Sequence, residues 1–199
     1  MANSIGMTPP TSERLRVDHG APSFTVETLA GGKLRVPTGR FHHLQFRRFA
    51  GCPICNLHLQ TFARRMNDLS HAGVRTSAVF HSSLGELRGV NADLPFDLVG
   101  DPGRELYRRY GVESSLKAVL HPRAIWRGIQ GVATSARPWT GSSDPLGLPA
   151  DFLIDPAGTI VALKYGVHAD DHWEVDEVIA LAREHGGAQA RAAATEASR

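Results

Sequence analysis

The chain has 199 residues, 42% of them hydrophobic and 21% charged, which is enough for one domain with a real core. A formal net charge of +2 gives no general attraction to nucleic acid or to an anionic membrane. No apolar stretch is long enough to span a bilayer, and the first residues lack the apolar segment of a secretory signal, so the reading is a cytoplasmic protein.

Residues 1–18 read as a flexible tail, and residues 19–185 as the domain. Ala21 to Val26 alternates like a short strand, and Gly31-Gly32 turns it into Lys33-Leu34-Arg35-Val36, a small hairpin at the start of the domain. His43-Leu44-Gln45-Phe46-Arg47 follows as a core strand, which Gly51 ends. Cys52-Pro53-Ile54-Cys55 comes next and holds both cysteines of the chain. Asn56 to Leu69 then carries apolar residues at helical spacing, at Leu57, Phe62, Met66 and Leu69.

Val74 to Phe80 is a second strand, and Pro95 to Val99 a third and weaker one. Asp101 suits the N-cap of a short helix that reaches about Tyr110, with Gly111 just past its end. Residues 113–145, with scattered glycines and with Trp126 and Trp139, read as an insertion packed by its tryptophans. Asp151 to Asp155, the turn Pro156-Ala157-Gly158 and Thr159 to Tyr165 make a β-hairpin. A last amphipathic helix spans His172 to Glu184, with Asp170 or Asp171 as its N-cap. Gly186-Gly187 end it, and residues 186–199 read as a flexible tail. A β-α-β unit followed by a β-β-α unit gives an α/β protein, a central mixed sheet flanked by helices.

The cysteine spacing points to redox chemistry. Two thiols two residues apart can close a small disulfide ring. If Cys52 stands at a helix N-terminus, the free N–H groups and the helix dipole stabilise its thiolate, the nucleophile of disulfide exchange and of peroxide reduction. In a reducing compartment such a disulfide is transient or catalytic. A metal site is disfavoured, because a structural zinc takes four ligands in paired spacing and there is no second cysteine pair. His58 reads as a solvent-exposed histidine, and Trp173 as a packing residue.

The helix after Cys-x-x-Cys, followed by β-β-α, resembles the thioredoxin fold with the N-terminal hairpin extension of the redoxins. Arg47-Arg48-Phe49-Ala50-Gly51-Cys52-Pro53-Ile54-Cys55, with Gly147 to Gly158, is similar to the peroxiredoxin-like branch of the alkyl hydroperoxide reductase and thiol-specific antioxidant superfamily. The likeness covers about Ala21 to Leu181. It implies that Cys52 is the nucleophile and Cys55 the resolving thiol, with Arg47 and Arg48 as supporting cations and Pro149 as the cis-proline beside the pair. Strand alternation lets only one of the two arginines face the thiol.

The sequence departs from peroxiredoxins where their peroxide cage stands. Phe49 takes the place of their threonine and Gln45 that of their proline, while their late arginine falls near Pro149. The expected activity is therefore thiol–disulfide exchange ahead of hydroperoxide reduction. The expected partners are a disulfide-bearing protein or a hydroperoxide, and a reductase system as electron donor. No cofactor is implied, and a homodimer is in keeping with the family. A redox-sensing binding module with no turnover is the alternative.

Overall fold

The computed structural model describes residues 14–112 and 148–197. The insertion read over residues 113–145, with Trp126 and Trp139, lies outside the described residues. Strands β1 (Phe24–Glu27) and β2 (Lys33–Val36) form an antiparallel hairpin turned at Gly31, whose φ of 81° only glycine adopts freely. The main sheet has five strands: β3 (Phe41–Arg47), β4 (Val74–Phe80), β5 (Asp97–Gly100), β6 (Ala150–Ile154) and β7 (Ile160–Tyr165). Their spatial order is β5-β4-β3-β6-β7. The β3–β4 and β4–β5 pairs are parallel, whereas β6 joins β3 and β7 joins β6 antiparallel. This is the mixed α/β sheet of the thioredoxin-like fold.

Strand alternation sorts β3 into two faces. Leu44 and Phe46 point into a core shared with the β1–β2 hairpin, Phe152 and Tyr110. His43, Gln45 and Arg47 point to the opposite face, which α1 (Pro53–Arg64) and α5 (Val175–Ala197) cover. Phe62 of α1, Leu153 of β6, and Trp173 with Val178 and Ile179 from the α5 end close the core on that side.

Four helices differ from the sequence expectation. The cysteine helix begins at Pro53, because proline suits the first helical turn, and it breaks at Arg65 before a short α2 (Met66–His71). Helix α3 (Leu84–Asn91) was not expected, although Ser83 and Glu86 form a full capping box. Helix α4 (Glu105–Arg109) starts later than read, yet Asp101 still accepts the N–H groups of Glu105, Leu106 and Tyr107. Helix α5 starts at Val175 and runs through Gly186 and Gly187 to Ala197. The alanine-rich sequence that follows offsets the roughly 1 kcal/mol that each glycine costs a helix. Neither Asp170 nor Asp171 caps it. Asp171 instead accepts the Val167 N–H and pairs with Lys164.

Candidate active site

Cys52 is the N-cap residue of α1, and Pro53 opens the helix behind it. The turn that delivers it is braced from two sides. Ser82 Oγ, just past β4, accepts the Ala50 N–H at 3.0 Å, and Asn91 of α3 donates to the Ala50 carbonyl at 3.2 Å. Arg48 is held in register by the His81 N–H, which donates to its carbonyl. Cys55 lies within the first turn of the same helix, and both cysteines are free thiols.

Three donors converge on one sulfur. Cys55 Sγ–H reaches Cys52 Sγ at 2.7 Å, the Cys55 backbone N–H at 3.4 Å, and Arg48 Nη1 at 3.8 Å. Two buried thiols this close titrate as a dyad. Burial opposes ionisation, but the sulfur–sulfur hydrogen bond and the Arg48 charge outweigh it, and the first proton leaves at about 6. Burial and the presence of Cys55 then push the second proton well above the ordinary thiol value. The three donors stabilise negative charge on Cys52.

Arg47 and Arg48 divide as strand alternation requires. Arg48 extends over the Phe49 ring toward the thiol. Arg47 turns to the opposite side and is fully buried, with Nη2 2.8 Å from Asp151 Oδ1 and 2.6 Å from Gln45 Oε1. Asp151 also accepts from His43 Nε2 at 2.9 Å and from the Trp173 N–H at 3.3 Å. Burial alone would raise its pKa, but Arg47 and His43 overcome that and hold the carboxyl well below the usual carboxylate range. Tyr107 adds hydrogen bonds to the carbonyls of Arg47 and Val79 and so ties α4 to the end of β3.

Sequence reasoning missed the roles of Asp151, His43 and Tyr107 around Arg47. A carboxylate inside the apolar run Asp151-Phe152-Leu153-Ile154 was the available signal, since a buried charge needs a partner and Arg47 sits on the neighbouring strand.

Two expectations are corrected. Leu148–Pro149 is not cis; among the described residues the cis bond is Val36–Pro37. Trans is the ordinary state of an X–Pro bond, and Pro149 leads straight into β6 in that form. Pro149 accepts the Gly166 N–H at 2.9 Å, and a Cβ at Gly166 would stand 2.8 Å from its ring, so the loop after β7 closes on it. His58 is buried, 4% exposed, and bonds the Trp173 carbonyl. Both sulfurs are also covered, Cys52 at 0% and Cys55 at 2% exposure.

The AhpC/TSA family model matches residues 17–163 of this chain. No curated protein matches the sequence. Among solved structures the chain is similar to peroxidoxin BcpB from Mycobacterium tuberculosis, with a TM-score of 0.63 and 14% identity over 86% of this chain and 98% of that one. It is also similar to a mutant of peroxiredoxin 6 of Arenicola marina, with a TM-score of 0.59 and 17% identity over 85% of this chain and 72% of that one. A protein described as thiol:disulfide interchange protein DsbE, from Chlorobium tepidum, aligns with a TM-score of 0.57 and 20% identity over 84% of this chain and 98% of that one. At these identities the likeness to the solved structures is one of fold.

Proposed function

The chain belongs to the AhpC/TSA family, and from that premise we propose that it is a thiol–disulfide oxidoreductase with Cys52 as nucleophile and Cys55 as resolving thiol. The convergence of three donors on Cys52 Sγ supports this reading most directly. The Cys52 thiolate attacks one sulfur of a substrate disulfide, forms a mixed disulfide and releases the first substrate thiol. Cys55 then gives up its proton and attacks Cys52 Sγ. The Cys52–Cys55 disulfide forms, and the second substrate thiol leaves. Two electrons have passed from the dithiol to the substrate, and an external dithiol reductant returns them.

Exchange is favoured over hydroperoxide reduction by what surrounds the pair. Phe49 brings a buried ring where peroxiredoxins carry a threonine hydroxyl, and Arg47 is committed to Asp151. Hydroperoxide reduction is the second reading, favoured by the burial of Cys52, which a small peroxide reaches more readily than a folded protein does. There the thiolate attacks the peroxide oxygen, an alcohol or water leaves, and Cys55 condenses with the resulting sulfenic acid to release water.

The fully reduced protein, with Cys52→Ser and Cys55→Ser as controls, separates the readings when given a model protein disulfide or hydrogen peroxide. Exchange predicts disulfide turnover that Cys52→Ser abolishes, mixed disulfides trapped by Cys55→Ser, and peroxide consumption no faster than free cysteine. Fast peroxide consumption lost in Cys52→Ser selects the second reading. Full activity in both single variants overturns the dyad mechanism.

A further inference from the structure

Away from the two sulfurs, the fold brings a second set of donors together. His58 of α1 meets His172 and Glu174, which lie in the segment leading into α5, and one ligand atom from each lies within 4.8 Å of the others. The two imidazole rings face each other with centroids 3.4 Å apart and planes at 33°. Both histidines are buried, whereas Glu174 reaches solvent.

The hydrogen bonds fix how the nitrogens are disposed. His58 Nε2 lies 2.9 Å from the Trp173 carbonyl oxygen. A carbonyl only accepts, so Nε2 carries the proton and donates, and the lone pair is left on Nδ1. That Nδ1 is buried with no hydrogen-bond partner. An imidazole whose outer N–H is anchored to a backbone carbonyl, with its other nitrogen bare, has the arrangement that metal-ligating histidines take. His172 has no hydrogen bond at either ring nitrogen, and its Nε2 stands 3.3 Å from the Asp170 carboxylate. Buried polar atoms are ordinarily satisfied, and two facing histidines with no hydrogen bond at His58 Nδ1 or at either His172 ring nitrogen are an exception that calls for a further partner.

We propose that His58, His172 and Glu174 form a binding site for a divalent transition-metal ion of the zinc class, with the fourth coordination position open to solvent. Two imidazoles and one carboxylate are a donor set that zinc takes. Ligand distances of about 2.0–2.2 Å put such donors roughly 3.3 Å apart, so binding draws the three together by up to about 1.5 Å. The ion clamps α1, which carries Cys55 one turn before His58, to the segment whose Trp173 N–H bonds Asp151. It leaves both sulfurs unligated and takes no part in electron transfer.

The test is a titration of the metal-free full chain with cobalt(II) and, in competition, with zinc(II). Because the two thiols can themselves bind such ions, it is repeated in the Cys52→Ser/Cys55→Ser variant. The site predicts one bound equivalent in the double variant, with the d–d bands of nitrogen and oxygen ligation and no thiolate charge-transfer band. His172→Gln in that background lowers the affinity at least about tenfold, and His58→Ala does the same. The His172 ring makes no hydrogen bond, so His172→Gln carries the test alone should His58→Ala fail to fold. Loss of all binding in the double cysteine variant overturns the proposal, as does affinity unchanged by His172→Gln.

Discussion

Arg48 shows how one side chain sets the chemistry of the dyad. Its guanidinium lies 3.8 Å from Cys52 Sγ and stacks over Phe49, within a buried region where a charge is weakly screened. Arg48→Met should raise the first pKa of the pair from about 6 by about 1 unit or more. At pH 7 the thiolate fraction would then fall from about nine-tenths to about half. The pH dependence of alkylation by iodoacetamide reads this directly, and a profile that stays put would remove Arg48 from the site. Arg47→Met should act differently. It strands the buried Asp151 carboxylate and should destabilise the fold by roughly 3–5 kcal/mol, seen as a lower urea midpoint. The sequence made both arginines candidates, and alternation along β3 required that they separate. It left open which one turns toward the thiol, because that is decided by Asp151 on β6, a partner 104 positions away.

At the scale of the elements, α5 tests how far local signals govern helix length. The pair Gly186-Gly187 reads as a stop, yet the helix continues through it, and the two positions differ in surroundings. A Cβ at Gly187 would meet nothing within 4 Å, whereas one at Gly186 would come within 3.4 Å of the Phe41 ring. Gly187→Ala should therefore stabilise the protein by about 0.5–1 kcal/mol, measured as a shift of the urea midpoint at unchanged slope. Gly186→Ala should gain less, since Phe41 must give way. A destabilised Gly187→Ala would mean that α5 is not helical there. The strands and the final hairpin were legible because their apolar runs are short and bounded by glycine, proline or aspartate. Helix α3 was not, because only Leu87 and Asn91 of its eight residues are buried and an apolar period barely exists. Its capping box was the readable mark. The starts of α1 and α5 shifted for a similar reason: the chain enters each through a capped turn whose hydrogen bonds, not its hydrophobicity, decide where the helix begins.

For the molecule as a whole, the consequence of so many buried polar groups is a dependence on pH. His42, His43 and Asp151 are fully buried, and His58 nearly so. Burial lowers the His42 pKa from 6.5 to about 3, with help from Arg75 and His43. His43 is lowered by burial against the opposing pull of Asp151, and His58 by burial and His172. In the unfolded chain these imidazoles take up protons as pH falls below about 6.5, while in the folded chain their lowered pKa values delay that uptake. The unfolded state thus binds more protons, and stability declines as pH falls through that range. Asp151 adds a later loss. Its carboxylate is held low in the fold, so its contribution is complete above about pH 4 and drains away below that. Unfolding free energy should fall between about pH 6.5 and 4, by about 1.4 kcal/mol per pH unit for each histidine that titrates in this way. His42→Gln keeps a polar partner for Ser77 Oγ, now 2.7 Å from His42 Nε2, while removing one titrating group. Urea unfolding of both proteins at a series of pH values should show the variant losing stability less steeply, by one proton's worth. Parallel curves would mean that His42 takes up its proton equally in the folded and unfolded states, and that the acid sensitivity of this fold arises elsewhere.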